Sequence, residues 1–539
     1  MASRRLLHLL LLLLVAALLL PVLAVLASWL PWDESGTQAM AILGEMGATV
    51  LPDYAWTTLR LCLLVTLGVV LVGLSTAAAV TLFDFPGRKL FEWALLLPLA
   101  MPAYVVAYAY TDFLQYSGPL QTQLRSLTGW EGRVFPEIRS IAGAAWVFTF
   151  ALYPYVYLLA RTALAERATH LMEAARLLGA PLSRRILEVA LPLARPAVAA
   201  GVALALMETL ADFGVSSYFG IQTFTAGIYK AWLAMDNHTA AAQLATLLLG
   251  VVALLLWLEQ RAQQRMRFVT TRRSAGIDAQ SLRLCGKKMW LAWAVCSIPL
   301  LMGFVLPVLF MLRPLSADWE TLPWGQFLGW SANSIRLGII TAVLAVGLAL
   351  LLAFSLRRMP DRVTRISVQL ASLGYAVPGA VIVVGLLLPV GWLQARLPDS
   401  SVGYWVTATS LGLVWAYLVR FCAVALQSLQ SGYSRIPVSF DDSARMLGKG
   451  DLALLSQIHW PLLKRSCVAA GLLVLVDVMK ELPATLVLRP FNSDTLAVVA
   501  YQLARDERLG EAALPSLALV LVGLLPVLLL NRTLRATSH

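Results

Sequence analysis

Twelve apolar runs of about 20 residues or more constrain this chain before anything else does, because each is long enough to cross roughly 30 Å of hydrocarbon as a helix. They lie at about 6–31, 57–82, 91–114, 140–164, 192–215, 240–258, 289–312, 334–356, 367–393, 402–427, 467–486 and 512–531. Of the 539 residues, 59% are hydrophobic and only 13% charged, far from the composition of a soluble globular chain. The expected fold is therefore an all-α membrane protein.

Between the fourth and fifth runs lies a polar, basic stretch, Glu173 to Gly201, that recurs between the tenth and eleventh as Asp442 to Gly471. The second copy keeps Ala175 as Ala444, Arg176 as Arg445, Gly179 as Gly448 and Pro192 as Pro461. Likewise the turn Asp84 to Lys89 after the second run answers Arg357 to Arg362 after the eighth, and Pro102 in the third run matches Pro378 in the ninth. The duplication thus covers a whole half: 1–262, then a linker 263–288, then 289–539, with six runs in each half. Residues 259–288 carry eight Lys or Arg, Arg272, Arg273, Lys287 and Lys288 among them, which reads as a cytoplasmic linker fusing two six-helix units. Six runs before the linker keep the halves parallel, with a pseudo-two-fold axis along the membrane normal and a pathway between them.

The net charge of +12 raises the question of nucleic acid. Sorted by loop, however, most of the 42 Lys and Arg fall on one side of the membrane, the side of both termini and both hairpins, so that side is cytoplasmic. Lipid, not nucleic acid, is the implied surrounding. Arg4 and Arg5 precede an apolar run too long for a signal peptide, so an uncleaved first helix is expected. The five cysteines sit in or beside runs or in a cytoplasmic loop, and no disulfide framework follows. No GxxxxGK[ST] occurs, the histidines are scattered, and no set of residues has metal-ligand spacing, so no nucleotide, cofactor, metal or catalytic group is expected on this chain.

Each copy of the repeated stretch reads as helix, glycine turn, helix. A basic hairpin of this kind can lie on anionic headgroups, but its duplication favours a docking surface. The pattern Glu173-Ala174-Ala175, three residues, Gly179, nine residues, Val189, one residue, Leu191-Pro192 resembles the EAA loop of permease subunits in bacterial ABC importers. The second copy, with Ala444, Gly448, Ile458 and Pro461 in place, departs from it at Asp442, Ser443 and Trp460. The resemblance implies the type I ABC importer (MetI-like) permease fold, about 12 transmembrane helices as two tandem six-helix halves in the cell inner membrane. It also implies the partners: two copies of a cytoplasmic ATPase, which use ATP and Mg and receive the hairpins in a groove, and a periplasmic binding protein that delivers substrate.

Charged residues inside the runs are expensive and by default face a bundle interior or an aqueous cavity. Glu208 and Asp212 lie four apart on one helical face, and Asp477, Lys480 and Glu481 occupy the matching region of the second half, where Glu481 is expected to align with Glu208. They mark either a translocation path or a static ion-pair network that includes Lys480. Pro98, Pro102 and Pro378, which free backbone carbonyls inside runs, are expected to face protein or a cavity, as packing kinks or as a gating hinge. The stretches Met207 to Gly220, Gln222 to Lys230 and Leu488 to Leu496 resemble the fused permeases of ferric-iron importers, which implies iron as substrate. Thiamine, molybdate, sulfate and polyamine importers share the loop. From other classes, an ion-coupled secondary transporter using Glu208, Asp212, Asp477 and Glu481, or a scaffold without transport, stands against an importer.

Overall fold

The computed structural model describes residues 2–29, 35–165, 169–267, 282–317, 319–320 and 322–536. In chain order the elements used below are α1 (Ala2–Ala27), α2 (Leu51–Leu82), β1 (Phe83–Asp84), α3 (Ala103–Leu114), α4 (Ile141–Ala163), α5 (Thr169–Leu177), α6 (Leu182–Ala211) and α7 (Gly214–Tyr218). After them come α8 (His238–Arg267), β2 (Leu282–Arg283), α9 (Lys287–Ala317), α10 (Trp324–Arg358), α11 (Arg362–Ser372), α12 (Gly379–Arg396) and α13 (Ser410–Tyr433). The chain closes with α14 (Val438–Met446), α15 (Trp460–Lys480), α16 (Pro483–Leu488), α17 (Leu496–Arg505) and α18 (Leu509–Ala536). Arg167 and most of the basic linker, 268–281, lie outside the described residues.

Among the described residues, ten helices are long and apolar enough to cross a membrane, and one further span is a pair, Arg88–Ala100 and Ala103–Thr128, bent by 89°. The eleventh expected run, 467–486, became α15, which is 21 residues long but carries Lys464, Arg465, Asp477 and Lys480. Length places it among the spans; its charges keep it from reading as one. The chain is an all-α membrane protein, and its strand content among the described residues is the two-residue parallel pairing of β1 with β2.

In space the chain gathers into two compact units that are not the two sequence halves. The first-hairpin unit holds 47–227, 250–322 and 500–539; the second-hairpin unit holds 1–46, 228–249 and 323–499. Each half therefore gives its opening helix to the unit built on the other half. Within the second-hairpin unit α1 lies on α12, where Gly385 leaves no room for a Cβ against the Pro21 carbonyl, and Trp415 Nε1 donates to the Ala17 carbonyl at 3.0 Å. Within the first-hairpin unit α9 is held against the broken span by Tyr110 OH donating to the Met302 carbonyl at 2.7 Å and by Phe113 stacked on Phe310. Lipid is as apolar as these side chains, so close packing and interhelical hydrogen bonds of this sort, not water exclusion, carry the association.

The prolines expected to kink their spans instead break them. Pro102 and Pro378 are extended (φ −60°, ψ 141° and φ −59°, ψ 142°), each after a short 3₁₀ turn and each opening a new helix. Their carbonyls accept from Val105 and Val106 N and from Val381 and Ile382 N, at 3.0 and 3.2 Å in both cases. An interior proline strands the carbonyl four residues back, and here those of Pro98 and Gly374 accept instead from Met101 N at 3.0 Å and Val377 N at 3.1 Å within the 3₁₀ turns. Pro378 is buried and Pro102 half-buried.

Candidate functional site

Both hairpins are built on one backbone device. At the end of α5, Ala180 N donates to the Ala175 carbonyl at 3.0 Å and Gly179 N to that of Arg176 at 3.0 Å; at the end of α14, Lys449 N donates to Ala444 at 3.0 Å and Gly448 N to Arg445 at 2.9 Å. This is the Schellman arrangement, and it needs a left-handed residue at its turn. Gly179 (φ 82°) and Gly448 (φ 75°) supply it. The duplicated alanines and glycines of the sequence pattern are thus the residues whose backbones close the elbow.

After the elbow each second leg widens into a π turn, Ile186–Ala190 and Leu454–His459, and then runs on through Pro192 or Pro461. A proline there lacks the N–H that an α-helical turn would use, and a π turn just before it absorbs the missing bond without ending the helix. Pro192 is half-buried and Pro461 exposed. Ala174 is exposed, Ala175 half-buried and Ala444 buried. Glu173 lies in α5 with its side chain outside the described residues, while Asp442 is exposed, 4.0 Å from Arg445.

What the elbows present is apolar. Leu177 and Leu178 are 89% and 87% exposed, and Met446 and Leu447, at the same places in the second copy, 89% and 79%. Two adjacent large apolar side chains held this far out on a polar hairpin mark a surface made to be covered.

The charged positions inside the spans fall at two further matched breaks. Asp212 follows the last residue of α6 with φ −73° and ψ 129°, and Glu481 follows the last residue of α15 with φ −70° and ψ 122°. Asp212 Oδ1 accepts from Val215 N at 2.8 Å, and the Glu481 carboxylate accepts from Ala484 N at 2.9 Å and Thr485 N at 3.0 Å. Each caps the short helix after the break. The partner of Glu481 across the repeat is therefore Asp212, and the expected alignment with Glu208 is corrected: Glu208 lies one turn earlier, half-buried within α6.

Glu481 also accepts from Thr485 Oγ1 at 2.6 Å and meets Arg420 of α13 at 3.5 Å, with Tyr417 OH 2.6 Å from Thr485 Oγ1. Arg420 is thus a cation paired with Glu481, and Lys480 sits half-buried at the end of α15.

Sequence reasoning missed a second cluster, at the base of the second hairpin. Asp441 is 4% exposed at its side chain and takes Arg357 Nε at 2.6 Å, Arg357 NH2 at 3.1 Å and His459 Nε2 at 3.0 Å; His459 Nδ1 is 3.3 Å from Tyr433 OH. Burial pushes the Asp441 carboxyl up, but the Arg357 and His459 hydrogen bonds and charges outweigh it and hold the group below the ordinary carboxylate range. Eighteen residues separate Asp441 from His459, so no motif spacing announces the pair. Among the described residues no group of His, Cys, Asp and Glu is placed to hold a metal ion.

Residues 69–268, which include the first elbow and both of its legs, match the family described as binding-protein-dependent transport system inner membrane component. That segment is a permease domain of this family. This permease is 24% identical over 478 residues to an Fe(3+)-transport system permease protein of Haemophilus influenzae, covering 88% of each chain. It is 27% identical to a putative 2-aminoethylphosphonate transport system permease protein of Salmonella choleraesuis over 42% of its own length and 85% of that protein's. It is 28% identical to the molybdenum transport system permease protein of Escherichia coli over 40% of its own length and 98% of that protein's. The shorter relatives are each about one half of the permease, in keeping with two permease-sized halves in one chain.

Proposed function

We propose that the permease is the membrane subunit of an ATP-driven importer of ferric iron, and that its two hairpins seat two copies of the ATPase. The docking part rests on the two identically built elbows that each expose a pair of large apolar side chains. The iron part rests on the Haemophilus relative, whose likeness runs through both halves, whereas the phosphonate and molybdenum relatives are one half long.

In this reading both termini and both hairpins face the cytoplasm, where the ATPase uses ATP and Mg, and a periplasmic binding protein delivers the ion from the other side. The permease itself holds no cofactor, catalytic group or resident metal. The elbows Glu173 to Pro192 and Asp442 to Pro461 pass the ATPase motion to the spans, and the permease alternates between two states, each favoured by a different partner. Pro102, Pro378, Glu208 and Lys480 border the path, with Asp212 and Glu481 fixing the breaks beside it.

Reconstituted with ATPase and loaded binding protein, the permease takes up ferric ion when ATP is supplied. Proline cannot reach the left-handed φ of the elbows, so Gly179→Pro and Gly448→Pro insert normally and lose ATP-driven uptake, as does Glu173→Arg. Normal uptake in all three, or uptake by the permease alone under a proton gradient, overturns the docking reading. ATP-driven uptake of molybdate or a phosphonate in place of ferric ion overturns the substrate.

A further inference from the structure

The last two residues of α10 grip both legs of the second hairpin. Arg357 makes a two-pronged contact with Asp441 of α14, and its remaining N–H groups donate to the carbonyls of Tyr433 at 3.3 Å, Ile436 at 3.0 Å and Pro437 at 3.0 Å. Arg358 Nε lies 2.7 Å from Asp451, the first residue of the second leg. His459, fully buried, carries the Asp441 contact into the π turn of that leg and on to Tyr433 at the end of α13.

The grip continues away from the hairpin. Three residues past α10, Asp361 caps α11 through Thr364 N at 2.8 Å, and its other oxygen is 2.7 Å from His8 Nε2 of α1. All of these groups belong to the second-hairpin unit. In the first-hairpin unit the residues aligned with Arg357 and Arg358, counting from Pro86 and Pro360, are Phe83 and Asp84. Asp84 there meets Arg283 of β2 at 3.8 Å.

A bidentate arginine-carboxylate pair with every remaining donor satisfied is directional: it fixes register and resists sliding, whereas apolar side chains in contact permit shear. We infer that Arg357 and Asp441, supported by His459, are positioning residues that gear the second hairpin to α10, so that hairpin and helix move as one rigid body during transport. In the first hairpin the places aligned with Tyr433, Asp441 and His459 hold the buried apolar residues Leu164, Met172 and Ala190. The inference rests on the docking role proposed above and adds which helix the second elbow drives.

The test uses the whole reconstituted complex in a cysteine-free background, with spin labels at L452C, on the exposed start of the second leg, and V363C, on α11. The expected result is a label distance that is the same with and without ATP in the otherwise unchanged permease, and that broadens and differs between the two states in the triple variant R357M/D441M/H459A. That variant copies the apolar character of the first hairpin, and stimulation of ATP hydrolysis by loaded binding protein is expected to fall about fivefold or more, within the usual range of coupling between sites. Arg357→Lys, which keeps the charge and loses the fork, falls by a smaller factor and covers the case in which the triple variant does not assemble.

A label distance that already changes between states in the unaltered permease overturns the gearing. So does full stimulation in both variants while Gly448→Pro abolishes it, and in that case the docking reading stands. Full stimulation in Gly448→Pro as well removes the docking reading itself.

Discussion

Counted from the turn glycines, Leu164, Met172 and Ala190 of the first hairpin occupy the places that Tyr433, Asp441 and His459 hold in the second. All six are buried. The elbows above them have the same backbone bonds, so what the fold requires at these three places is filled, satisfied volume, and polarity is free to differ between copies. The first hairpin fills it with hydrocarbon. The second fills it with a cluster that becomes costly once any one member is missing.

The breaks after α6 and α15 repeat the lesson. Both are capped by a carboxylate, but around Glu481 the second half adds Arg420, Tyr417 and Thr485 where the first, at the aligned places, has Ala151, Phe148 and Ser216. In both comparisons the second half adds charged or polar partners at places where the first has apolar side chains or a serine.

The sharpest way to break this comparison is to remove one member and then all of them. Asp441→Ala leaves Arg357 and His459 buried without their acceptor and is expected to destabilise the permease by about 3–5 kcal/mol. The triple variant R357M/D441M/H459A is expected to lie within about 1–2 kcal/mol of the unaltered chain, because replacing a whole buried ionic cluster by apolar groups is often close to neutral. Thermal unfolding in one detergent compares the two. A single substitution no more costly than the triple one would mean that the cluster holds nothing.

Next in size is the pair of caps. Glu481→Ala strips two backbone N–H groups and the partner of a nearly buried arginine, for about 3 kcal/mol. Asp212→Ala removes the cap bond to Val215 N, for about 1 kcal/mol. Equal losses would show that Arg420 contributes nothing to holding the second break.

These asymmetries mark the limit of what the sequence shows. The membrane class, the duplication and the turn glycines are legible because each depends on local chemistry: run length, spacing, and the need for a left-handed residue. The exchange of opening helices is not legible, since α1 and α9 look like any other apolar run and only packing, as at Gly385 against Pro21, says which unit they join. The alignment of Glu481 failed for a related reason. Composition matches one glutamate to another, but capping geometry matches the first residue past each helix end, and that is Asp212. The Asp441 cluster had one available signal: polar residues at exactly repeated positions where the other copy is apolar.

A smaller effect separates the hairpins by pH. Asp441 titrates lower in the folded permease than an unfolded aspartate, whose ordinary value is about 3.9, so its contribution to stability is fully present above that value and is lost as pH falls through the folded pKa. Through this group, acidification from about pH 7 to 5 therefore leaves the second hairpin unchanged, and loosening sets in below about pH 4. The first hairpin has Met172 in that place, a side chain that does not titrate. Protease accessibility of each elbow across this range checks it, and selective loosening of the second elbow well above about pH 4 would show that Asp441 does not set it.

Least of all should the hairpins differ through their surface charges. Arg184 Nε lies 2.8 Å from Glu188 on the first hairpin with both side chains more than half exposed, and the second copy has Ala453 and Gln457 at those places. Water screens such a pair and the two long side chains lose freedom in making it, so Arg184→Ala is expected to cost no more than about 0.5 kcal/mol in thermal unfolding. The same exposure leaves Arg184 open to contact with a partner. A loss of ATPase affinity with unchanged unfolding would therefore assign the first hairpin's surface charges to the partner, and a loss of stability above about 1 kcal/mol would show that its packing needs an ionic contribution after all.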